Sequence, residues 1–272
     1  MRKSTCSRLI QSVLAQILVT LLLALLSLDA VAQACNLGQT ASRGADSQRV
    51  KIKKVIDGDT VRLGDDRLVR FIGINTPEID HETGHSEPFA EKAREFLQAL
   101  IDAQQGSILL QYDSENEDRH GRQLAHVFTL DGENIQASMI AEGMGVWITV
   151  PPNLQYLECY RQSEHKARQQ RAGVWNAQFR TPRETTSLTK QDRGFQWMRG
   201  KVTRIGQGKK YLWLNFGENV AARVHKDDLY HFQDKTFATL KNKTVIIKGW
   251  LFPYKKQLVM GLRHPASMEI VD

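Results

Sequence analysis

The 272-residue sequence has no glycine-rich nucleotide-binding loop, no paired zinc motif, no Ser, Cys or Lys set arranged for nucleophilic attack, and no convincing internal repeat. Those absences set aside phosphate-loop and zinc-module chemistry and covalent catalysis by these residues. Cysteine is scarce, with three residues. Cys6 lies in the leading segment, so Cys35 and Cys159 are left as a pair, and an oxidising compartment would permit one disulfide between them. Sequence alone does not decide whether they meet. A long apolar run occurs once, from Leu9 to Leu28. Over the whole chain, 41% hydrophobic and 25% charged residues are ordinary for a globular protein, against both wholesale disorder and a polytopic membrane protein.

Arg2, Lys3 and Arg8 precede the apolar run and Ala30, Ala32 and Ala34 follow it, the layout of a secretory signal peptide. Cleavage after Ala32 or Ala34 is the preferred reading. The run is also long enough to remain as a membrane anchor, although Gln11, Ser12 and Gln16 dilute its first half. A lipid-modified Cys35 is a third reading, for which Ala32-Gln33-Ala34 is a poor match. The expectation is an exported chain, periplasmic or secreted, that touches a membrane only through an uncleaved N-terminal segment.

The basic excess is uneven. Residues 186–272 hold 16 Lys and Arg against 7 Asp and Glu, whereas residues 33–185 hold 18 against 22. A polyanion partner is the natural inference for the C-terminal third, with plain solubility as the alternative. No protein partner is indicated.

The expected organisation is a signal peptide or anchor at 1–32, a small polar tether at 33–48, a first domain at 49–180, a linker at 181–194 and a second domain at 195–272. In the first domain, strands are predicted at Lys51 to Ile56, Thr60 to Leu63, Leu68 to Ile74, Ser107 to Tyr112 and Gln123 to Thr129. Ser86-Glu87-Pro88 predicts the start of a helix reaching Ala103, Asn134 caps a second that stops at Gly143, and a third runs from Asn153 to about Ala172. The second domain shows strand-like runs at Gly200 to Ile205, Tyr211 to Phe216, Val220 to Val224, Val245 to Leu251 and Leu258 to Leu262. The fold class is therefore α+β.

Four pieces of the first domain can carry chemistry: Asp57-Gly58-Asp59-Thr60 after a strand, Arg70 within one, Asn75-Thr76-Pro77-Glu78 at its end, and Asp118-Arg119-His120-Gly121-Arg122. Each alone has an ordinary reading as a turn, a surface strand residue or a loop opening. His81 and His85 flank Glu82 at metal-ligand spacing, but no cysteine or third histidine completes a zinc set.

Taken in order, VIDGDT, VRFIGINTPE and DRHGRQLAHVF resemble the staphylococcal nuclease family over roughly residues 50–176. The three predicted helices fall where that fold places them, and Gly173-Val174-Trp175 closes the last. The resemblance implies an OB-like five-stranded β-barrel with three helices and a nuclease acting on DNA, RNA or both. It implies metal ligation by Asp59, the residue at position 75 and the Thr76 carbonyl, with catalytic roles for Arg70, Glu78 and Arg122. Glu78 can take a proton from water, and the two arginines can grip phosphate oxygens with a fixed fork of donors. Oxygen ligands suit Ca2+ or Mg2+.

Two departures stand out. Position 75 is Asn75 where the family has aspartate, which removes one negative charge and predicts weaker calcium binding, with Mg2+ or another divalent ion as an alternative. Residues 145–150 (GVWITV) replace the region where the best-known members carry two tyrosines, and Trp147 there reads as core rather than as a base-stacking surface. A catalytically silent binding protein and an anchored envelope interaction module are the rival readings.

The second domain interleaves Tyr211, Trp213, Phe216, Trp250, Phe252 and Tyr254 with Lys209, Lys210, Lys248, Lys255 and Lys256. Strand count and size suggest a small, mostly-β, OB-like barrel. Alternation puts Leu212, Leu214 and Phe216 inside and leaves Tyr211, Trp213 and Asn215 on the other face. Lys209, Lys210, Tyr211 and Trp213 are thus the candidate nucleic-acid contacts.

Overall fold

The computed structural model describes residues 35–37, 47–80, 82, 84–176, 181–232 and 236–271. The expected signal peptide and most of the expected tether lie outside them, as does His81. Among the described residues, no helix is long and apolar enough to cross a membrane.

Short alternating strands with one apolar face close on themselves in the first domain. Strands β1 (Ser47–Asp57), β2 (Thr60–Leu63), β3 (Leu68–Phe71), β5 (Ser107–Gln111) and β6 (Gln123–Phe128) form a closed barrel in the order β1-β2-β3-β6-β5. The long β1 serves both neighbours, pairing with β5 through its first half and β2 through its second. Register shifts between Ile52 and Lys54 and between Val55 and Asp57 bend it, as closure requires. Val61, Leu63, Val69, Phe71, Ile108, Leu110, Ala125 and Val127 fill the interior.

The strand expected to run through Ile74 is broken at Gly73, whose φ is +81°. A Cβ there would lie 2.3 Å from the Tyr160 ring, so close packing and backbone both demand glycine. The chain then leaves the barrel as β4 (Ile74–Asn75) and pairs with β7 (Val146–Trp147), Ile74 opposite Trp147 and Asn75 opposite Val146.

Helix α1 (Ala90–Ala103) packs Ala90, Ala93, Leu97 and Ile101 against the barrel at helical spacing. It starts three residues later than predicted because Glu87 is held elsewhere: its N–H donates to the Glu78 carbonyl at 2.9 Å and its carboxylate accepts from the Glu78 N–H at 3.1 Å. Asn134 caps α2 (Ile135–Ala141) as expected, accepting from the Ala137 N–H at 2.9 Å. Helix α3 begins at Leu157 and ends at Gln170. Asn153, where the helix was expected to start, instead bonds both backbone groups of Glu115, at 2.8 and 2.7 Å. Cys35 and Cys159 form a disulfide across 124 positions, and closing so long a loop stabilises the fold by about 2–5 kcal/mol.

The C-terminal strands form one eight-stranded sheet. Its strands are β8 (Arg183–Glu184), β9 (Gly194–Lys201), β10 (Arg204–Gln207), β11 (Tyr211–Asn215), β12 (Val220–His225), β13 (Thr244–Tyr254), β14 (Gln257–Gly261) and β15 (Met268–Ile270). The order is β10-β11-β12-β14-β13-β9-β8, with β15 on β13. The single strand predicted at residues 200–205 is two, because the Val202 and Thr203 N–H groups turn away to Lys243 and Asn215. The stretch 181–194 is more than a spacer: it supplies β8, and Thr185 and Leu188 are buried. Leu212, Leu214 and Phe216 enter the core as alternation predicted, but Asn215 is buried too, its side chain bonded to Arg204.

The two domains meet at a buried ion pair. Lys248 of β13, read from sequence as part of a surface strip, is only 8% exposed and lies 3.1 and 3.3 Å from the two carboxylate oxygens of Glu164 on α3. Glu164 also accepts from Arg168 at 2.7 Å and from the Trp147 N–H at 3.1 Å. The Lys248 ammonium stands 3.7 Å from the Trp147 ring centroid, and the Arg168 guanidinium sits 4.4 and 4.8 Å from the rings of Trp175 and Trp197. Burial pulls the Lys248 amine down to about 8, with the Glu164 charge working against that pull.

Candidate active site

The site begins at the turn between β1 and β2. A Cβ on Gly58 would come within 2.8 Å of both Ala93 and the Thr76 methyl, so the turn packs tightly against α1 and the segment after β4. That contact presses Asp59 inward, to 3% exposure. One Asp59 carboxylate oxygen accepts from the Thr76 N–H at 2.9 Å and faces an Arg70 terminal nitrogen at 2.9 Å. The other accepts from the Thr60 hydroxyl at 3.1 Å.

Arg70 reaches this point because Thr60 and Arg70 are register partners across β2 and β3. Its guanidinium braces the strand break, donating to the carbonyls of Phe71 at 2.8 Å and Ile74 at 2.9 Å and to the Asn75 side-chain oxygen at 3.3 Å. Asp59, Arg70, Asn75 and Thr76 are thus one hydrogen-bonded unit. Glu78 follows at the rim, exposed to solvent, with its backbone clamped by Glu87. Desolvation by the surrounding protein, then the charge of Asp59, raises its carboxyl above the ordinary glutamate range, with Arg70 and Arg122 opposing. A cleft of about 520 Å³ opens beside it, lined by Glu78, Ile79, Asp80, Glu82, His85 and Glu87.

Arg122 comes from the loop between β5 and β6. Asp118 organises that loop: one of its oxygens accepts from the N–H groups of His120 at 2.8 Å and Arg122 at 3.0 Å, and the other holds two nitrogens of the Arg122 guanidinium, each at 2.7 Å. The Arg122 fork remains partly open to solvent, and its charge reaches Glu78. His120 is exposed and lies beside Arg119.

Asp57 completes the acidic side. Its carboxylate accepts from the Asp59 N–H at 3.0 Å, and burial, followed by the Asp59 charge, pushes it up to about 7. Two crowded carboxylates, an amide oxygen at Asn75 and a carbonyl at Thr76 make a hard, all-oxygen donor set whose charge the Arg70 guanidinium partly offsets. Its chemistry fits a calcium- or magnesium-type ion rather than a thiophilic one.

The structure therefore brings Asp59, Arg70, Asn75, Thr76, Glu78 and Arg122 together. It sets Lys209, Lys210, Tyr211 and Trp213 apart, on the C-terminal sheet. Trp147 is buried in the core of the barrel domain, as expected. Sequence reasoning gave no part in the site to Asp57, Glu87 or Asp118, although Asp57 and Asp118 lie in the quoted motifs and Glu87 in the predicted helix start. Their task is to hold another residue, a role that only a contact reveals.

A closed OB-like barrel with three helices, carrying carboxylate-braced arginines beside an exposed glutamate, defines a nuclease-type barrel. The family model described as staphylococcal nuclease homologue matches residues 68–177. The thermonuclease of Staphylococcus intermedius is 32% identical over 127 residues, covering 46% of this chain and 74% of that protein. The SPbeta prophage-derived endonuclease YokF of Bacillus subtilis (strain 168) is 28% identical over 132 residues, 47% of this chain and 44% of its own length. Endonuclease YncB of the same organism is 29% identical over 132 residues, 47% and 61% respectively. The chain thus spans less than two thirds of the length of either Bacillus relative. It belongs to the staphylococcal nuclease family.

Proposed function

We propose that this protein is an exported, metal-dependent nuclease that hydrolyses phosphodiester bonds of DNA, RNA or both. The observation that supports it most is the convergence of Asp59, Arg70, Asn75, Thr76, Glu78 and Arg122 on one rim of the barrel. Glu78 takes a proton from the attacking water, a role suited to an exposed carboxylate whose proton affinity is raised. Arg122, aimed by Asp118, and Arg70, aimed by Asp59, hold phosphate oxygens as negative charge gathers on them. Asp59, Asn75 and the Thr76 carbonyl would hold the divalent ion, which supplies further positive charge to the phosphate. By resemblance to the family, the products are a 5′-hydroxyl and a 3′-phosphate. The Cys35–Cys159 disulfide supports export, because such bonds persist in oxidising compartments.

Digestion of single-stranded DNA by the purified chain is expected with calcium or magnesium and not with chelator; binding without cleavage under every metal would overturn the proposal. Calorimetric titration of Asn75→Asp is expected to show calcium affinity raised roughly ten-fold or more, since ligand charge tunes affinity in oxygen-ligand sites. Unaltered affinity would remove position 75 from the metal site.

A further inference from the structure

The outer face of the C-terminal sheet carries a cluster of rings and cations that the catalytic site does not use. Trp213 of β11 and Tyr254 of β13 lie with ring centroids 6.0 Å apart and planes 30° from parallel. Tyr211 meets Trp213 edge-on at 6.0 Å and His225 of β12 at 5.0 Å. At the centre is Arg223 of β12, the register partner of Trp213. Its guanidinium stands 4.4 Å from the Tyr211 ring, 4.9 Å from Phe252 and 5.3 Å from Tyr254. On its other side Arg223 is opposite Gly261 of β14. A Cβ on Gly261 would meet nothing within 4 Å, so the space through which Arg223 reaches the β13 rings is open.

Lys255 holds its ammonium 5.6 Å from the Tyr254 ring, and Lys209, Lys210 and Lys256 are exposed beside it or at the β10–β11 turn. Among the described residues, neither Arg223 nor any of these four lysines has an ion-pair partner. A cleft of about 690 Å³ adjoins the cluster, lined by Arg204, Trp213, Asn215, Tyr254, Lys255 and Lys256 among others, with Glu218 as its acid.

We propose that this face is a second nucleic-acid site, a platform for single-stranded DNA or RNA separate from the cleavage site. The occupant follows from the chemistry. Flat, partly exposed rings offer stacking to unpaired bases, which a duplex keeps to itself, and unpaired cations around them neutralise a phosphate chain. An acidic protein would satisfy the cations but leave the rings without partners. The four strands from β11 to β13 span about 14 Å at the usual inter-strand spacing, enough for a short run of nucleotides. The rings also shield apolar residues: Val259, register partner of Phe252, is fully buried yet outside the core cluster. A purely structural role would end there.

The test is fluorescence anisotropy of the full chain with a labelled oligothymidylate, a duplex of equal length and a heparin fragment, all in chelator so that the result does not depend on cleavage. Trp213→Ala with Tyr254→Ala is expected to weaken single-strand binding at least ten-fold, since two stacking partners are removed, with little change for the duplex. Lys255→Gln with Lys256→Gln, both exposed, should leave thermal unfolding unchanged and reduce the salt slope of single-strand binding by about 0.7 for each phosphate no longer neutralised. Unchanged affinity and slope in these variants, or heparin bound as tightly and with the same sensitivity to the ring substitutions, would overturn the platform. Binding abolished in Arg122→Ala but not in the ring variants would assign all affinity to the catalytic cleft and overturn it too. Failure of the full chain to cleave would overturn the nuclease proposal and leave this one standing.

Discussion

Replacing Glu78 by glutamine is expected to lower cleavage of single-stranded DNA by roughly 10²–10⁴-fold, the usual worth of a positioned general base. The substitution is nearly isosteric. It keeps both hydrogen bonds that the Glu78 backbone makes to Glu87, one to its N–H and one to its carboxylate, so the loop should hold its shape while losing the carboxylate proposed to accept the proton. Arg122→Ala should cost about 10²–10³-fold by removing donors from the charge that develops on phosphate. Arg122→Lys should recover little of it, because a point charge cannot reproduce the fork that Asp118 aims. Initial rates at saturating metal, with thermal unfolding as a control, decide the matter. A Glu78→Gln protein with undiminished turnover would mean that another group takes the proton.

Lys248→Ala is expected to destabilise the protein by about 3–5 kcal/mol, because it leaves the Glu164 carboxylate, 2% exposed, short of a countercharge. Arg168 stays on one carboxylate oxygen and the Trp147 N–H on the other, which favours the lower end of that range. In a chain of this size the loss corresponds to a fall in melting temperature of about 10 °C. Lys248→Met combined with Glu164→Gln should recover much of the loss: the methionine fills the volume, and the amide still accepts from Trp147 without a charge to solvate. A melting temperature unmoved by Lys248→Ala would show that the pair contributes nothing to joining the domains. The loss should also reach the active site, because β7, which Glu164 anchors through Trp147, is the pairing partner of the strand that carries Asn75.

The barrel was legible where the signal was local. Thr60 to Leu63 was read with its observed bounds, and Asn134 caps its helix, because alternation and capping depend on residues a few positions apart. The errors share a cause. The strand expected to continue to Ile74 stops at Gly73 because the ring of Tyr160, far along the chain on α3, occupies the space a side chain would need. Helix α1 starts late because Glu87 is engaged by Glu78, and α3 starts late because Asn153 is engaged by Glu115. In each case a partner beyond the reach of local pattern displaced a locally reasonable choice. Lys248 is the plainest example: it sits in the same strip of aromatics and lysines as Trp250 and Tyr254, which are exposed, and only the packing of α3 against β13 makes it a buried ion-pair partner.

By itself the sequence determined that the first domain is a barrel of short strands with three helices and which carboxylates and arginines are candidates for its site, since backbone propensities, caps and side-chain chemistry are properties of the residues and their near neighbours. The tertiary structure alone decided which groups hold which. It set Asp118 behind Arg122, Glu87 behind Glu78 and Asp57 beside Asp59, joined Cys35 to Cys159, and gathered Arg223 with rings from β11 and β13. Those outcomes depend on distances between segments far apart in the chain, which side-chain volume and charge fix only once the whole molecule is packed.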